Sequence, residues 1–203
     1  MSVFVHPSSV VDAPCELGEG VKIWHFCHVS AGASLGEGVM LGQNVFVAPG
    51  VRLGARTRVQ NNVSLYEGLT CEEEVFLGPS VVFTNVLTPR VQHSRRGQFA
   101  KTLVRRGASL GANATILCGL TIGRYALIGA GSVVTRDVPD FGRVVGNPGR
   151  LVGFSCACGE RLALALRGAL GESAACAACG ASYLREAAGV RELSPPAPSG
   201  QRP

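Results

Sequence analysis

The chain has 203 residues, with 27 glycines but only eight Phe, three Tyr and one Trp, and it is 46% hydrophobic, 16% charged and carries a net charge of +5. Glycine is nearly double its usual share of about 7%, while the large side chains that fill a conventional two-layer core are scarce. The apolar content excludes wholesale disorder, no apolar run approaches the roughly 20 residues of a membrane span, and Met1 to Pro14 lacks the charged start and apolar block of a secretory leader; a cytoplasmic protein is expected.

A period of six begins at once. Stepping by six from Val5 gives Val11, Leu17, Ile23, Val29, Leu35, Leu41, Val47, Leu53, Val59, Leu65, Cys71, Leu77 and Phe83, and none of these is polar. The residues two before them are mostly small or branched, and positions two apart on a strand share a face. The phase breaks after Phe83 and resumes at Val104, Leu110, Ile116, Ile122, Ile128 and Val134. A loop over about residues 87–101 must leave and rejoin the repeat. Hexapeptide periodicity of this kind predicts an all-β parallel β-helix over residues 1–154, about seven coils of three short strands, with glycine at corners that need positive φ. Such a prism can be a passive scaffold. The extruded loop favours a functional one, because loops interrupting a rigid frame tend to carry function.

After Phe154 the rhythm stops. Cys156-Ala157-Cys158-Gly159 and Cys176-Ala177-Ala178-Cys179-Gly180 form two knuckles, with Leu162, Leu164 and Leu166 alternating between them as a strand would. Residues 155–186 thus read as a small zinc-ribbon-like module with Cys156, Cys158, Cys176 and Cys179 as ligands of a possible structural Zn²⁺. The first knuckle is one residue short of C-x-x-C, so disulfides or free cysteines stay open as alternatives. Cys15, Cys27 and Cys71 fall on inward positions and read as small core residues. Residues 187–203, rich in proline and serine, are expected to be a disordered tail.

Several segments say more than the repeat does. Ile23-Trp24-His25-Phe26, Gln60-Asn61-Asn62-Val63-Ser64 with Tyr66-Glu67-Gly68, Val82-Phe83-Thr84-Asn85-Val86 with Pro89-Arg90, Gly107-Ala108-Ser109-Leu110-Gly111-Ala112-Asn113 and Gly129-Ala130-Gly131-Ser132-Val133-Val134 resemble the bacterial UDP-2-acetamido-3-amino-2,3-dideoxyglucuronate N-acetyltransferases. The resemblance covers about Val3 to Phe154. It implies a left-handed coil, a handedness that the periodicity does not supply, and a homotrimer with sites in the grooves between prisms. It also implies acetyl transfer from acetyl-CoA to the 3-amino group of a UDP-linked amino sugar in lipopolysaccharide O-antigen or surface polysaccharide biosynthesis. An acetyltransferase acting on another nucleotide-linked amino sugar or on a hydroxyl, and a non-catalytic binding scaffold, remain the alternatives.

Acetyl transfer to an amine needs a neutral amine, stabilisation of the tetrahedral oxyanion and a sink for the nitrogen's proton. In the family resembled, the leaving CoA thiolate is that sink. Asn85, where the repeat breaks, could orient the amine or donate to the oxyanion; a turn or ladder asparagine is its plain alternative. Glu67 and Tyr66 lie one coil from it, since 67 plus 18 is 85, and with Asn62 could bind the sugar. The loop and its return carry Arg90, Arg95, Arg96, Lys101, Arg105 and Arg106 with no acidic residue among them, and Arg90 and Lys101 are the first choices for diphosphate and carboxylate. Without these six the rest of the chain is nearly neutral. One aromatic, Phe99, accompanies them, so nucleic acid is not the expected partner. His25 is read as positioning the sugar nucleotide or packing; as a base it would serve the hydroxyl alternative. The His25 and His28 pair lacks the ligand spacing of the γ-class carbonic anhydrases. For acetyl-CoA, Gly111, Gly129 and Ala130 would expose backbone groups to pantetheine, and Arg136 and Arg150 resemble residues that meet the cofactor's phosphates and adenine.

Overall fold

The computed structural model describes residues 2–195. The hexapeptide rhythm becomes short strands such as Lys22–Ile23, His28–Val29 and Ser34–Leu35, each ending on an inward apolar residue. Three strands make a coil, and each strand pairs in parallel with its counterpart in the next coil, as in Phe4↔Lys22, Lys22↔Met40 and Met40↔Arg58. The three faces of the prism carry sheets of nine, seven and six strands. The inward positions from Ile23 to Phe83 and from Val104 to Val134 are all buried, with Val21, Ala33, Val39, Val45, Val51, Val63, Ala108 and Ala114 filling beside them. The expected parallel β-helix is therefore present, and its narrow interior explains the shortage of aromatics. Burial pushes the Cys71 thiol up to about 12, which suits a core filler. Cys118, off the inward phase, is buried too.

The glycines divide into two classes, corners as expected and sites of close stacking between coils that the sequence did not suggest. Corners recur with the hexapeptide period at positive φ, as at Gly32, Gly38, Asn44, Gly50, Arg56, Asn62 and Gly68, so glycine shares these sites with other residues. The glycine that follows an inward leucine has a different reason. A Cβ on Gly54 would lie 2.4 Å from the Glu72 carbonyl carbon, and one on Gly111 would lie 2.5 Å from the Ala130 nitrogen. Only glycine lets neighbouring coils stack there.

At the loop the coil register jumps. Arg58 pairs with Phe76 one plain coil on, whereas Phe76 pairs with Ser109 and Leu69 with Thr102, so the surplus chain is extruded between Phe83 and Thr102. At the C-terminal end Gly142–Val145 pairs with Leu127–Ile128, and Arg150–Phe154 folds back antiparallel to cover that edge. Gly149 is buried, and a Cβ there would sit 2.9 Å from the Val133 oxygen. The turn before Arg150 is tight.

Beyond it lies a three-stranded antiparallel sheet of Ser173–Ala175, Ser182–Glu186 and Gly189–Ser194. The last strand corrects the expected disordered tail from 187. Val190 is buried, Arg191 pairs with Glu186 at 2.6 Å, and the Ser182 and Ser194 hydroxyls meet at 2.7 Å; residues 196–203 of that tail lie outside the described residues. Leu162 and Leu164 are buried alternately as expected, yet their segment is not a strand. Among the described residues no helix is long and apolar enough to cross a membrane.

Candidate active site and cysteine cluster

The prism has three corners, and the register assigns each candidate residue to one. His25, Asn62, Gly111 and Ala130 lie along the corner that carries positive φ at Phe26, Asn44, Asn62, Ser80 and Asn113. Tyr66, Glu67 and Asn85 lie along the next, and the ladder Phe83↔Ile116, Ile116↔Val134 continues that column to Cys118 and Arg136. Within one chain the structure brings Glu67, Asn85 and Arg136 to one edge and keeps His25, Asn62 and Ala130 on another.

At the second corner the extruded loop begins and ends. The Ala100 N–H donates to the Asn85 carbonyl at 3.0 Å, and the Thr102 N–H donates to the Gly68 carbonyl at 3.0 Å. Two threonine hydroxyls fix the coil above: Thr84 Oγ1 accepts from the Cys118 N–H at 2.9 Å and Thr102 Oγ1 from the Gly119 N–H at 3.1 Å. The sequence did not single these hydroxyls out for the site, although their position at both ends of the phase break was the available signal. The half-buried Asn85 amide makes no hydrogen bond among the described residues. Glu67 is exposed, and the exposed Tyr66 ring rests against Phe46 at 6.1 Å. Further down the same face His28 lies 5.7 Å from Phe46, ring to ring, and its Nε2 is 2.8 Å from Asp12 Oδ2. That imidazole–carboxylate pair was not anticipated; its only sign in the sequence was a separation close to one coil.

The loop borders an open concavity of about 670 Å³ lined by Val86, Phe99, Arg90, Arg95 and Arg96 among others. Among the described residues the Arg90 guanidinium bonds only the neighbouring Pro89 carbonyl, at 3.0 Å. Lys101 is exposed. Arg105 and Arg106, at the end of the stretch, are paired with carboxylates of the prism. Arg105 pairs with Asp140 at 3.2 Å, and Arg106 with Glu74 at 3.1 Å and Glu73 at 3.5 Å. The hydrogen bond from Arg56, aided by Arg106, outweighs partial burial and holds the Glu74 carboxyl below its usual range. The basic excess is thus confined to the loop's own four side chains.

His25 stacks on His6 with ring centroids 3.6 Å apart, in a shallow hollow shared with Trp24, Gln43, Gln60 and Asn61. The Asn62 Oδ1 accepts from Asn44 Nδ2 at 3.0 Å, a two-rung asparagine ladder. The backbone donors of Gly111 and Gly129 are already used, to the Ile128 and Val144 carbonyls at 2.8 Å each. They are small because coils must stack, so the reading of their N–H groups as open to pantetheine is corrected; Ala130 alone of the three has an N–H without a hydrogen bond among the described residues. Arg136 is exposed, and among the described residues the exposed Arg150 side chain reaches only the Gly149 carbonyl, at 3.2 Å.

The four C-terminal cysteines converge. All their sulfurs lie within 4.8 Å of one another, with Cys156 3.4 Å from Cys179 and Cys158 3.6 Å from Cys176. Tyr183, fully buried, lies with its hydroxyl 3.1 Å from Cys156 Sγ and accepts from the Ala157 N–H at 3.0 Å. Its hydrogen bond to Cys156 adds to burial in pushing the Tyr183 hydroxyl pKa upward.

The family model for the hexapeptide repeat of succinyl-transferase matches residues 32–67 and 106–136. A 64-residue stretch is 53% identical to the dTDP-3-amino-3,6-dideoxy-alpha-D-galactopyranose 3-N-acetyltransferase of Aneurinibacillus thermoaerophilus, covering 32% of this chain and 33% of that one. A 94-residue stretch is 35% identical to the serine acetyltransferase of Bacillus subtilis strain 168, covering 46% and 41%. Among solved structures, PerB of Caulobacter crescentus in complex with CoA and GDP-perosamine is 27% identical with a TM-score of 0.48, covering 74% of this chain and 57% of that one. The chain thus matches about a third to two fifths of the length of these curated relatives. About a third of the chain matches the hexapeptide-repeat model, and a further local similarity is to a sugar-nucleotide N-acetyltransferase.

Proposed function

We propose that the protein transfers acetyl from acetyl-CoA to the amino group of a nucleotide-linked 3-amino sugar. The observation that carries this is the free amide of Asn85 at the mouth of an arginine-lined loop, and the local identity to an enzyme named for 3-N-acetylation of a nucleotide-linked sugar supports it. In the finer reading the sugar is a UDP-linked 2-acetamido-3-amino-2,3-dideoxyglucuronate, made in the cytoplasm for O-antigen. Arg90 and Lys101 then meet its diphosphate and carboxylate in the bidentate or point-charge manner open to such groups. Glu67 and Tyr66 hold sugar hydroxyls.

In this reading the neutral amine attacks the thioester carbonyl while Asn85 orients the nitrogen or donates to the oxyanion. The C–N bond forms, the C–S bond breaks, and the nitrogen's proton leaves with the CoA sulfur as a thiol. Asn85 and Arg136 share one corner, whereas Asn62, Ala130 and the Arg150 turn lie at or near another, so a complete site needs a second chain. A threefold assembly with repeated head-to-tail contacts supplies one: the Asn85 corner of one protomer faces the Ala130 corner of the next. The exposed Phe4, Val10, Trp24, Phe26 and Val82 suit burial in such contacts. Sedimentation of the full chain tests this, with a trimer expected.

One observation favours a second reading, acetylation of a hydroxyl. A hydroxyl needs a true base, and the His28–Asp12 pair offers an oriented imidazole. Rates of His28→Ala and Asn85→Ala separate the two. Amine transfer predicts loss in the asparagine variant and near-full activity in the histidine variant; the reverse supports a hydroxyl acceptor.

A further inference from the structure

We infer that Cys156, Cys158, Cys176 and Cys179 bind one Zn²⁺, and that this ion locks a cap onto the C-terminal end of the β-helix. The inference is independent of the acetyl-transfer reading, and either can fail alone. Four thiolates at about 2.3 Å around a tetrahedral zinc stand about 3.8 Å apart. Two of the pairs here are at 3.4 and 3.6 Å, and all four sulfurs lie within 4.8 Å of one another. These separations far exceed the roughly 2.05 Å of a disulfide. The short C-x-C knuckle therefore does not prevent convergence.

Each knuckle closes on the glycine that follows it, over three residues in the short C-x-C and over four in the C-x-x-C. The Gly159 N–H donates to the Cys156 carbonyl at 2.8 Å and the Gly180 N–H to the Cys176 carbonyl at 2.9 Å, each from a glycine at positive φ. Four protein ligands leave no open coordination position, so the ion's role is structural.

What the ion would hold together is specific. The Tyr183 hydroxyl meets Cys156 Sγ, the Tyr183 ring packs edge-on against Phe141 at 5.2 Å, and Phe141 stacks on Tyr125 at 5.5 Å. Tyr125 belongs to a corner of the penultimate coil. Arg185 reinforces the join, its guanidinium 5.1 Å over the Phe154 ring and bonded to the Leu166 and Gly189 carbonyls at 2.8 and 2.7 Å. A segment this short buries too little apolar surface to order itself, and metal affinity becomes folding free energy in such modules. The cap in turn joins the last strand of the nine-stranded sheet at its Phe154 end, where Phe154 is buried and its carbonyl accepts from the Leu162 N–H at 2.9 Å.

The test is elemental analysis of the full chain, purified under reducing conditions without chelator, followed by stripping and refilling with Co²⁺. About one zinc per chain and the absorption of a cobalt tetrathiolate are expected. Cys158→Ser should lower the metal content, and if that variant fails to fold the wild-type measurement still decides. Iron in place of zinc, refusal of offered zinc by the reduced protein, or two disulfides by mass would overturn the site. For the cap, zinc removal should speed amide exchange across positions 142–154 and leave Arg58–Val59 unchanged. Equal exchange with and without metal would overturn the lock.

Discussion

The Ala100 N–H donates to the Asn85 carbonyl at 3.0 Å, so the two ends of the extruded loop meet at one residue. The backbone of Asn85 is committed to the fold while its side chain is free. Asn85→Ala should therefore separate activity from stability. Turnover should fall by about 10²–10³, the usual cost of removing one oriented donor, while folding stability should change by no more than about 0.5 kcal/mol, as for an ordinary surface substitution. Loss of folding in that variant, or unchanged kcat, would contradict the assignment.

Arg90 and Arg105 look alike in sequence and differ in their surroundings. Arg90 lines the loop concavity, while Arg105 pairs with Asp140. Arg90→Ala and Lys101→Ala should raise KM for the nucleotide sugar with little change in kcat. Arg105→Ala should leave KM unchanged and lower the melting temperature instead. Steady-state kinetics and thermal melts on the three variants decide it.

Gly50 and Gly54, close neighbours in sequence, make opposite demands. A Cβ on Gly54 meets neighbouring backbone at 2.4 Å, whereas Gly50, at φ +72, has nothing within 4 Å. Gly50→Ala should cost about 1 kcal/mol of left-handed strain, while Gly54→Ala should cost about 3 kcal/mol or block folding, as overpacking does. Melts showing equal losses would refute the stacking explanation.

Glu74 links Arg56 and Arg106 across coils, at 2.9 and 3.1 Å. Its carboxyl is depressed, so the stability it adds is present above its unfolded value and is lost as pH falls through the folded one. The groups are partly exposed, and the effect should stay below about 1 kcal/mol. Wild type should melt above Glu74→Gln at pH 7, and the gap should close in the acid range below the ordinary carboxylate pKa. A gap that persists in acid would show that the charge is not responsible.

Much of this was legible in the sequence because the coil is a local code. Ile23 to Val134 kept an inward phase, and the break after Phe83 announced the loop. The corner assignment was legible too: 85 minus 67 is 18, one full coil, whereas 85 minus 25 is 60, a multiple of 6 but not of 18, which places His25 and Asn85 on different edges. Contacts between coils were not legible. Nothing local to Gly54 shows that Glu72 passes over it, and nothing near Arg106 shows that Glu73 and Glu74 neutralise it. The strand Gly189–Ser194 was hidden by the proline-rich composition just beyond it, although buried Val190 and its pairing to Ser182–Glu186 order it.

In the proposed function the chain moves acetyl from acetyl-CoA to an amine on a nucleotide-linked sugar. Thiol release from acetyl-CoA, followed by reaction with a chromogenic disulfide across a panel of UDP-, dTDP- and GDP-linked amino sugars, tests it most directly. Release is expected only with a 3-amino sugar present, fastest with the UDP-linked uronate, with a product heavier by one acetyl group on nitrogen. No release with any amine, together with no binding of acetyl-CoA, would contradict it.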